Sequence, residues 1–455
     1  MTPRILLVST YEMGHQPLGL AWAAAALRNA GCEVDCRDVS IEALAPDLLE
    51  SADLVGISVP MHTAARLGIE VARRVRELNP RAHLAFYGLY ATPLAEVLRQ
   101  AGLADSVVGG EYEAGLVRLA EALAAGERPA AIDLGFDRQE YPAPDRNGLP
   151  PLDQYARLSI DGELRLAGYV EATRGCAHTC THCPITPVYG GRLRLVQPEV
   201  VLADVGGQVA MGARHITFGD PDFLNAAPHS LAIVRELSRR HPGVTFDATI
   251  KVEHLIEHEA LLPGLRDAGC LFITSAFEST NDAILERLQK GHTRADMERA
   301  LAFAEREGLT IRPTWVAFTP WTTAADYLDM PAFVDEHGLV GNVQAVQFGL
   351  RLLLPPGSPL VPVLEREGLL GPFDDSGLTF TWKNPDARMD ALQREVAAIV
   401  EAAAGGHEHD GGEPAEVTFA NVRQAAYLAL EGRDAPPVVT RPAKAVPGLT
   451  ESWFC

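Results

Sequence analysis

Positive charge is scarce in this chain, and so are long apolar runs, repeats and paired cysteines. Of its 455 residues, 39 are Lys or Arg against 60 Asp or Glu, a formal net charge of −21. A surface of that sign repels phosphate backbones, and no basic run offsets it, so nucleic acid is not expected as a partner. No apolar stretch approaches the ~20 residues that a bilayer span requires. The early run Ile5-Leu6-Leu7-Val8 is too short for the core of a secretory signal and ends in polar Ser9-Thr10. It reads as a buried first strand, and the expected location is the cytoplasm, with no membrane partner. No period of solenoid length recurs. The cysteines number seven, an odd count in a long chain without a secretion signal, which argues against a disulfide framework.

What the chain does have is length and alternation. Hydrophobic residues make up 47% and charged residues 22%, enough apolar material for two or three domains with real cores. Residues 1–130 alternate strand candidates (Arg4–Ser9, Glu33–Asp38, Leu54–Val59, His83–Tyr87, Ser106–Val108) with helix-period segments such as Leu18–Ala30, Ala64–Leu78 and Pro93–Ala101. The strands are continuous apolar runs, as in a parallel sheet covered on both faces, and predict a doubly wound, flavodoxin-like domain. Residues 131–165 hold prolines and charges without periodicity and read as a linker.

A second β/α series occupies residues 166–370. Its strand candidates are Tyr169–Ala172, His215–Phe218, Thr245–Thr249, Leu271–Ala276, Thr310–Val316 and Val343–Leu350. Helix candidates fall at Pro198–Met211, His229–Arg239, Asn281–Leu288 and Arg294–Glu307. Six such units predict a partial (β/α)6 barrel with its site at the C-terminal strand ends. Residues 371–455 form a C-terminal extension. It holds helices at Asp386–Ala404 and Val417–Glu431, an acidic glycine-rich stretch at Gly405–Gly412, and an irregular proline-rich tail from Ala435.

Three cysteines crowd into the loop after the first barrel strand. Cys176, Cys180 and Cys183 give the spacing C-x3-C-x2-C. Three thiolates bind three irons of a cubane [4Fe-4S] cluster and leave the fourth iron open. Zinc is the alternative, with His178 or His182 as the fourth ligand that a structural zinc site demands. Cys270 sits in an apolar run and reads as a buried core thiol. Cys32 and Cys36 flank a strand of the first domain and read as packing or surface residues.

The spacing resembles the signature of the radical S-adenosylmethionine (SAM) superfamily, and the resemblance covers residues ~165–370. It implies that the open iron chelates SAM, that the cluster's electron cleaves a sulfonium C–S bond, and that the product is a carbon radical. It also implies a reductant such as flavodoxin or ferredoxin, and a small-molecule substrate. His182 stands where the family carries an aromatic residue able to stack on adenine. Gly219 and Asp220, after the second barrel strand, resemble the segment that meets the SAM amino group. Ser275 and Glu278 belong to a segment similar to the family's G-V-E-S, Lys290-Gly291-His292-Thr293 resembles its K-G-x-T, and Lys251 stands where a basic residue faces the SAM carboxylate. Arg351 ends the sixth expected strand as in the same subfamily.

The first domain resembles the cobalamin-binding domain fused to many such enzymes. The family's D-x-H-x-x-G motif, which supplies a lower axial histidine, is missing. Its loop instead places His15 two residues after Met13 and three before Leu18. The domain therefore either binds cobalamin without that ligand, through Ser58, Gly88, Gly109 and Gly110 at the strand ends, or is a scaffold without the cofactor.

The segments Tyr11–Gly19, Ser58–Ala64 and Phe86–Tyr90 and the ending Trp453-Phe454-Cys455 are similar to a radical SAM group named for a Cys-Sec-Ala-Glu-Pro or Cys-Cys-Ala-Glu-Pro tail. This resemblance implies that the native protein continues past Cys455, since selenocysteine is encoded by UGA, which a standard reading treats as a stop. The alternative is an ordinary C-terminus with one thiol. Three functions stay open: radical modification of a small molecule, with or without cobalamin-mediated methyl transfer; transfer of the 3-amino-3-carboxypropyl group of SAM to a thiol-bound metalloid such as arsenic; and a non-catalytic Fe–S sensor.

Overall fold

The computed structural model describes residues 3–405, 413–438 and 446–451. The chain opens with β1 (Arg4–Ser9), α1 (Leu18–Asn29), β2 (Glu33–Asp38), α2 (Pro46–Ser51), β3 (Leu54–Ser58), α3 (His62–Leu78), β4 (His83–Tyr87), α4 (Ala91–Gln100), β5 (Ser106–Gly110), α5 (Tyr112–Ala124) and β6 (Ile132–Gly135). The strands form one parallel sheet in the order 2-1-3-4-5-6, the flavodoxin-like winding. β3 and β5 are buried along their whole length, which is why they read as unbroken apolar runs.

β6 lies inside the segment read as a linker. It is an edge strand whose Ile132 and Leu134 are 41% and 44% exposed. Its alternation carried no buried run to detect. The same segment also holds β7 (Arg157–Ile160) and the start of β8 (Glu163–Val170), an antiparallel hairpin. The first barrel strand therefore begins earlier than Tyr169, because β7 supplies it with a local partner.

The second unit continues with β9 (Thr173–Gly175), α6 (Thr186–Tyr189), β10 (Leu193–Leu195), α7 (Pro198–Ala210), β11 (His215–Phe218), α8 (Ala227–Arg240), β12 (Thr245–Thr249), α9 (Val252–Glu257), α10 (Leu262–Asp267), β13 (Cys270–Glu278), α11 (Asp282–Arg287), α12 (Arg294–Glu307), β14 (Thr310–Trp315) and α13 (Ala324–Glu336). β8, β11, β12, β13 and β14 pair in parallel in that order. The expected sixth strand, Val343–Leu350, is replaced by short 3-10 turns at Val340–Asn342 and Ala345–Phe348. Only an isolated parallel bridge, Phe318 to Arg351, marks its place. The side-chain oxygen of Gln347 accepts the backbone N–H of Trp315 at 2.8 Å, so a side chain satisfies a β14 donor that a strand carbonyl would otherwise take. The barrel is an open half-barrel of five parallel strands.

Then come α14 (Val361–Glu367), the hairpin β15 (Leu370–Asp374) and β16 (Thr379–Trp382), α15 (Ala387–Gly405), α16 (Ala415–Glu431) and β17 (Gly448–Leu449). β17 lies in the tail expected to be irregular. It pairs antiparallel with β7, and Thr450 N–H donates to Arg157 O at 2.8 Å. Trp453, Phe454 and Cys455 lie outside the described residues.

The two units share a core. One face of the first sheet (Ile5, Leu7, Tyr87, Val108) belongs to the same buried cluster as the half-barrel residues Val170, Ile216, Phe246 and Phe277, which alternate with the cavity-lining positions of their strands. The other face (Leu6, Val8, Val55, Ile57) packs in a cluster of its own. Ring stacking of His15 on Tyr169, with centroids 4.4 Å apart, crosses the junction. Arg146 of the connecting segment bridges it too, donating to Gln16 Oε1 at 2.9 Å and pairing with buried Asp204 at 2.7 Å. No described helix is long and apolar enough to cross a membrane.

Candidate active site

The cysteine loop is held at its base by β9 pairing antiparallel with β10. Gly175, immediately before Cys176, has φ +71, and a Cβ there would stand 2.4 Å from Arg192 O and 2.5 Å from the Tyr189 ring. Only glycine fits this turn into the loop. Farther along, Thr181 N–H donates to Leu288 O at 3.1 Å and its hydroxyl to Arg287 O at 2.8 Å. The Asn225 amide donates to Cys176 Sγ at 3.4 Å, and Ala177 N–H donates to Asn225 Oδ1 at 3.3 Å. Cys176 and Cys180 are buried and Cys183 half-buried, and all three line one cavity. Burial pushes the Cys176 thiol up, and the Cys183 thiol up to about 12. Cys270 is buried elsewhere in the core, its thiol raised by desolvation and hydrogen-bonded to Phe272 O.

The donor spacing fits an iron–sulfur cubane better than zinc. Bonds of about 2.3 Å in a tetrahedron hold zinc thiolates about 3.8 Å apart. Among the described residues, the three sulfurs are not within 4.8 Å of one another as a set, although two other metal-capable groups are. Thiolates spread over three irons stand farther apart than ligands of a single ion.

Glu278, His182 and Lys290 close the floor beside the loop. Glu278 ends β13, where β14 breaks register, and holds φ +66, a strained value for a non-glycine residue. Its carboxylate lies 3.1 Å from His182 Nε2 and 3.3 Å from Lys290 Nζ. Burial works to raise the Glu278 carboxyl, but Lys290 and then His182 outweigh it and hold it at about 2. Burial likewise opposes the Lys290 ammonium, and Glu278 with the neighbouring thiols raises it above its usual range. Asp220 accepts from Ala172 N–H and the Thr173 hydroxyl, yet burial leaves it raised to about 7. Lys251 Nζ pairs with Glu253 at 2.9 Å.

The cavity has a volume of about 740 Å³ and opens between the two units. From the first unit come Glu12, Trp22, Ser58, Gly88 and Gly110; from the second come the three cysteines, His182, Gly219, Asp220, Lys251, Glu278 and Arg351. Of the residues singled out from sequence, Ser275 and Gly109 do not line it. The Ser275 hydroxyl donates to Ile250 O at 2.7 Å, and Gly109 faces Thr92 and Leu134. Arg351 lines the cavity but stacks on Trp382 and pairs with Asp390 at 2.7 Å. Gly219 makes room for Tyr169, whose hydroxyl would be 2.0 Å from a Cβ there.

Sequence reasoning missed several residues. Glu12 Oε1 accepts the N–H groups of Leu18 and Gly19 at the start of α1, while buried Oε2 has no partner. Trp22 Nε1, Trp315 Nε1 and Gln347 Nε2 are buried cavity residues' atoms in the same condition. Such orphaned groups suit a cavity that holds a polar ligand. Arg174 is clamped between the units, 2.6 Å from Glu113, 3.4 Å from Glu111 and 3.1 Å from Glu171. It also lies over the rings of Trp22, Tyr112 and Tyr141. Sequence offered Arg174 only as the residue two before Cys176.

Comparison with known proteins agrees with this architecture. Residues 170–319 match the radical SAM superfamily, and residues 4–120 match the B12 binding domain. The hopanoid C-3 methylase of Methylococcus capsulatus is 25% identical over 337 residues, covering 70% of this chain and 64% of that protein. The bacteriochlorophyllide d C-8(2)-methyltransferase of Chlorobaculum tepidum is 24% identical, covering 70% of this chain and 69% of that protein. The anaerobic magnesium-protoporphyrin IX monomethyl ester cyclase of Rubrivivax gelatinosus is 24% identical and covered over 58% of its length. The chain thus spans about six-tenths of the length of some of these relatives. In fold it is similar to the radical SAM methyltransferase TsrM from Kitasatospora setae, solved with tryptophan and a SAM analogue, at TM-score 0.66 and 18% identity over 88% of this chain and 89% of that one. It is also similar to the cobalamin-dependent SAM radical enzyme OxsB, at TM-score 0.67 and 15% identity over 94% and 72%.

Proposed function

Because this chain belongs to the radical SAM superfamily and carries a B12-binding domain, we propose that it is a cobalamin-dependent radical SAM methyltransferase acting on a small molecule. The observation that carries this reading is the shared cavity. The C-terminal strand ends of the first sheet and the three cysteines of the half-barrel face the same 740 Å³ space. A methyl carrier held by one unit and a SAM-cleaving cluster held by the other would both reach a substrate there.

Cys176, Cys180 and Cys183 would hold the cluster, which supplies the electron for SAM cleavage when bound. Lys251 and Glu278 offer a cation and a carboxylate at neighbouring strand ends, complementary to the carboxylate and ammonium of SAM. Gly219 lines the cavity beside Tyr169, and Asp220 offers a carboxyl next to it. Ser58, Gly88 and Gly110 would seat the cobalamin edge, with buried Glu12 and Trp22 offering unpaired polar atoms beneath it. Apolar Leu350, Leu352 and Pro355 line the remaining wall, where they exclude water. A cytoplasmic location and a flavodoxin- or ferredoxin-type reductant accompany this reading.

The test is anaerobic reconstitution with iron, sulfide and hydroxocobalamin, followed by SAM bearing a labelled methyl group and a reductant. Bound cobalamin in the visible spectrum and S-adenosylhomocysteine among the products are expected. Release of 5′-methylthioadenosine instead would shift the assignment to aminocarboxypropyl transfer, and an inert, cobalamin-free protein would end it.

A further inference from the structure

A second cluster of ligand-type side chains stands on the outer side of the cysteine loop. His178, between the first two cysteines, approaches Asp222 from the loop after β11 and His254 from α9. His178 Nε2 lies 3.3 Å from His254 Nε2 and 3.6 Å from Asp222 Oδ2, and His254 Nδ1 is 2.6 Å from the same Oδ2. One donor atom from each residue falls within a 4.8 Å set. We propose that His178, Asp222 and His254 bind one divalent transition-metal ion at a site separate from the three cluster thiols.

The donor chemistry selects the ion class. Two imidazoles and one carboxylate suit Zn2+, Fe2+, Co2+ or Ni2+, whereas Mg2+ and Ca2+ favour oxygen donors. The spacing fits as well. Bonds of about 2.1 Å in a tetrahedron set ligand atoms about 3.4 Å apart, between the 3.3 Å and 3.6 Å seen here when His254 ligates through Nε2, its 2.6 Å contact being made by the other ring nitrogen.

Asp222 supplies the independent sign of a ligand. Its side chain is fully buried, and Oδ2 has no hydrogen-bond partner despite the 2.6 Å approach of His254 Nδ1, which is also unpartnered. At 2.6 Å the two atoms form a close carboxylate–imidazole contact that fixes the Asp222 carboxylate beside both rings. A cation shared with His178 Nε2 and His254 Nε2 would satisfy this buried carboxylate oxygen. Oδ1 is already engaged, accepting Lys251 N–H at 3.3 Å, which leaves Oδ2 for the ion. Around the trio, Glu253 Oε2 stands 3.6 Å from His178 Nδ1, placed to orient that ring. The same Glu253 oxygen pairs with Lys251 and offsets its charge. An ion here would join the cysteine loop, the β11 loop and α9.

The test uses the full-length chain with Cys176, Cys180 and Cys183 replaced by serine, so that the cluster thiols cannot contribute. Metal-free protein is titrated with Co2+ and followed by ligand-field absorption and calorimetry. Binding of one equivalent without thiolate-to-cobalt charge transfer is expected, weakened at least about tenfold by His178→Ala and by His254→Ala in turn. His178 lies in a loop and is the safer variant for folding; a circular dichroism spectrum matching the parent accompanies each titration. Absence of Co2+ binding overturns the proposal. So does binding that survives either substitution, which would place the ion on the neighbouring His254, Glu257 and His258 group or on the sequence pair His407 and His409.

Discussion

Glu278 reaches back from the end of β13 to His182, 3.1 Å away and immediately before Cys183. The fourth of the five half-barrel strands thereby holds the cysteine loop through this contact. Lys290 completes the trio from the turn after α11, and all three side chains are nearly or fully shielded from solvent.

Removing Glu278 leaves the buried Lys290 ammonium without its counter-charge. Glu278→Ala is expected to cost about 3–5 kcal/mol, the usual penalty of orphaning a buried ion pair. Its thermal midpoint should fall well below that of an exposed control such as Glu50→Ala. SAM affinity, read by equilibrium titration of the reconstituted protein, should fall with it. An unchanged midpoint would show that His182 and Lys290 lose nothing when the acid is gone.

Each of the three loop cysteines is expected to be indispensable to the cluster, and Cys270 dispensable. The measurement is iron and sulfide content with visible absorbance after anaerobic reconstitution of the single Cys→Ala variants. Cys270→Ala should match the parent in iron while losing about 1 kcal/mol or more of stability through the small cavity it opens. A full complement of iron in Cys176→Ala, Cys180→Ala or Cys183→Ala would refute the ligand assignment.

Arg174 should hold the two units together. Lysine in its place keeps the charge but loses the planar fork and the stacking over Trp22, Tyr112 and Tyr141. Arg174→Lys is expected to lower the thermal midpoint and to speed limited proteolysis between residues 125 and 165. Arg174→Ala should do both more strongly, since Glu111 and Glu113 are then buried without a counter-charge. Proteolysis rates equal to the parent in both variants would remove Arg174 as the clamp.

Glu12 gives a pH signature. Burial, with Glu171 nearby, raises its carboxyl from 4.5 to about 8. The folded state therefore binds the proton more tightly than the unfolded state. Stability is full below about 4.5 and is lost as pH rises toward 8, by an amount on the order of a few kcal/mol. Glu12→Gln keeps an oxygen for the Leu18 and Gly19 N–H groups but has no proton to lose. The midpoint of Glu12→Gln relative to the parent should rise steadily between pH 5 and pH 8 and then level off. A difference that stays flat over that range contradicts a neutral Glu12.

The sequence by itself determined the parts that rest on short-range pattern. Buried parallel strands such as β3 and β5 show as unbroken apolar runs, and helices such as α7 and α12 show their own period. The cysteine spacing names its chemistry because three thiolates within eight residues have few other uses. Edge strand β6 escaped because half-exposed strands carry no apolar run, and the sixth barrel strand was over-read because Val343–Leu350 has strand-like composition. Tertiary structure alone showed that Gln347 satisfies the β14 donor by a side chain, so no strand forms there. It alone brought Glu278 to His182 across 96 residues, His178 to His254 across 76, and Arg174 to Glu113 across 61. Such pairs leave no local period, because the energy of a buried charge depends on what packing places beside it rather than on its neighbours in the chain.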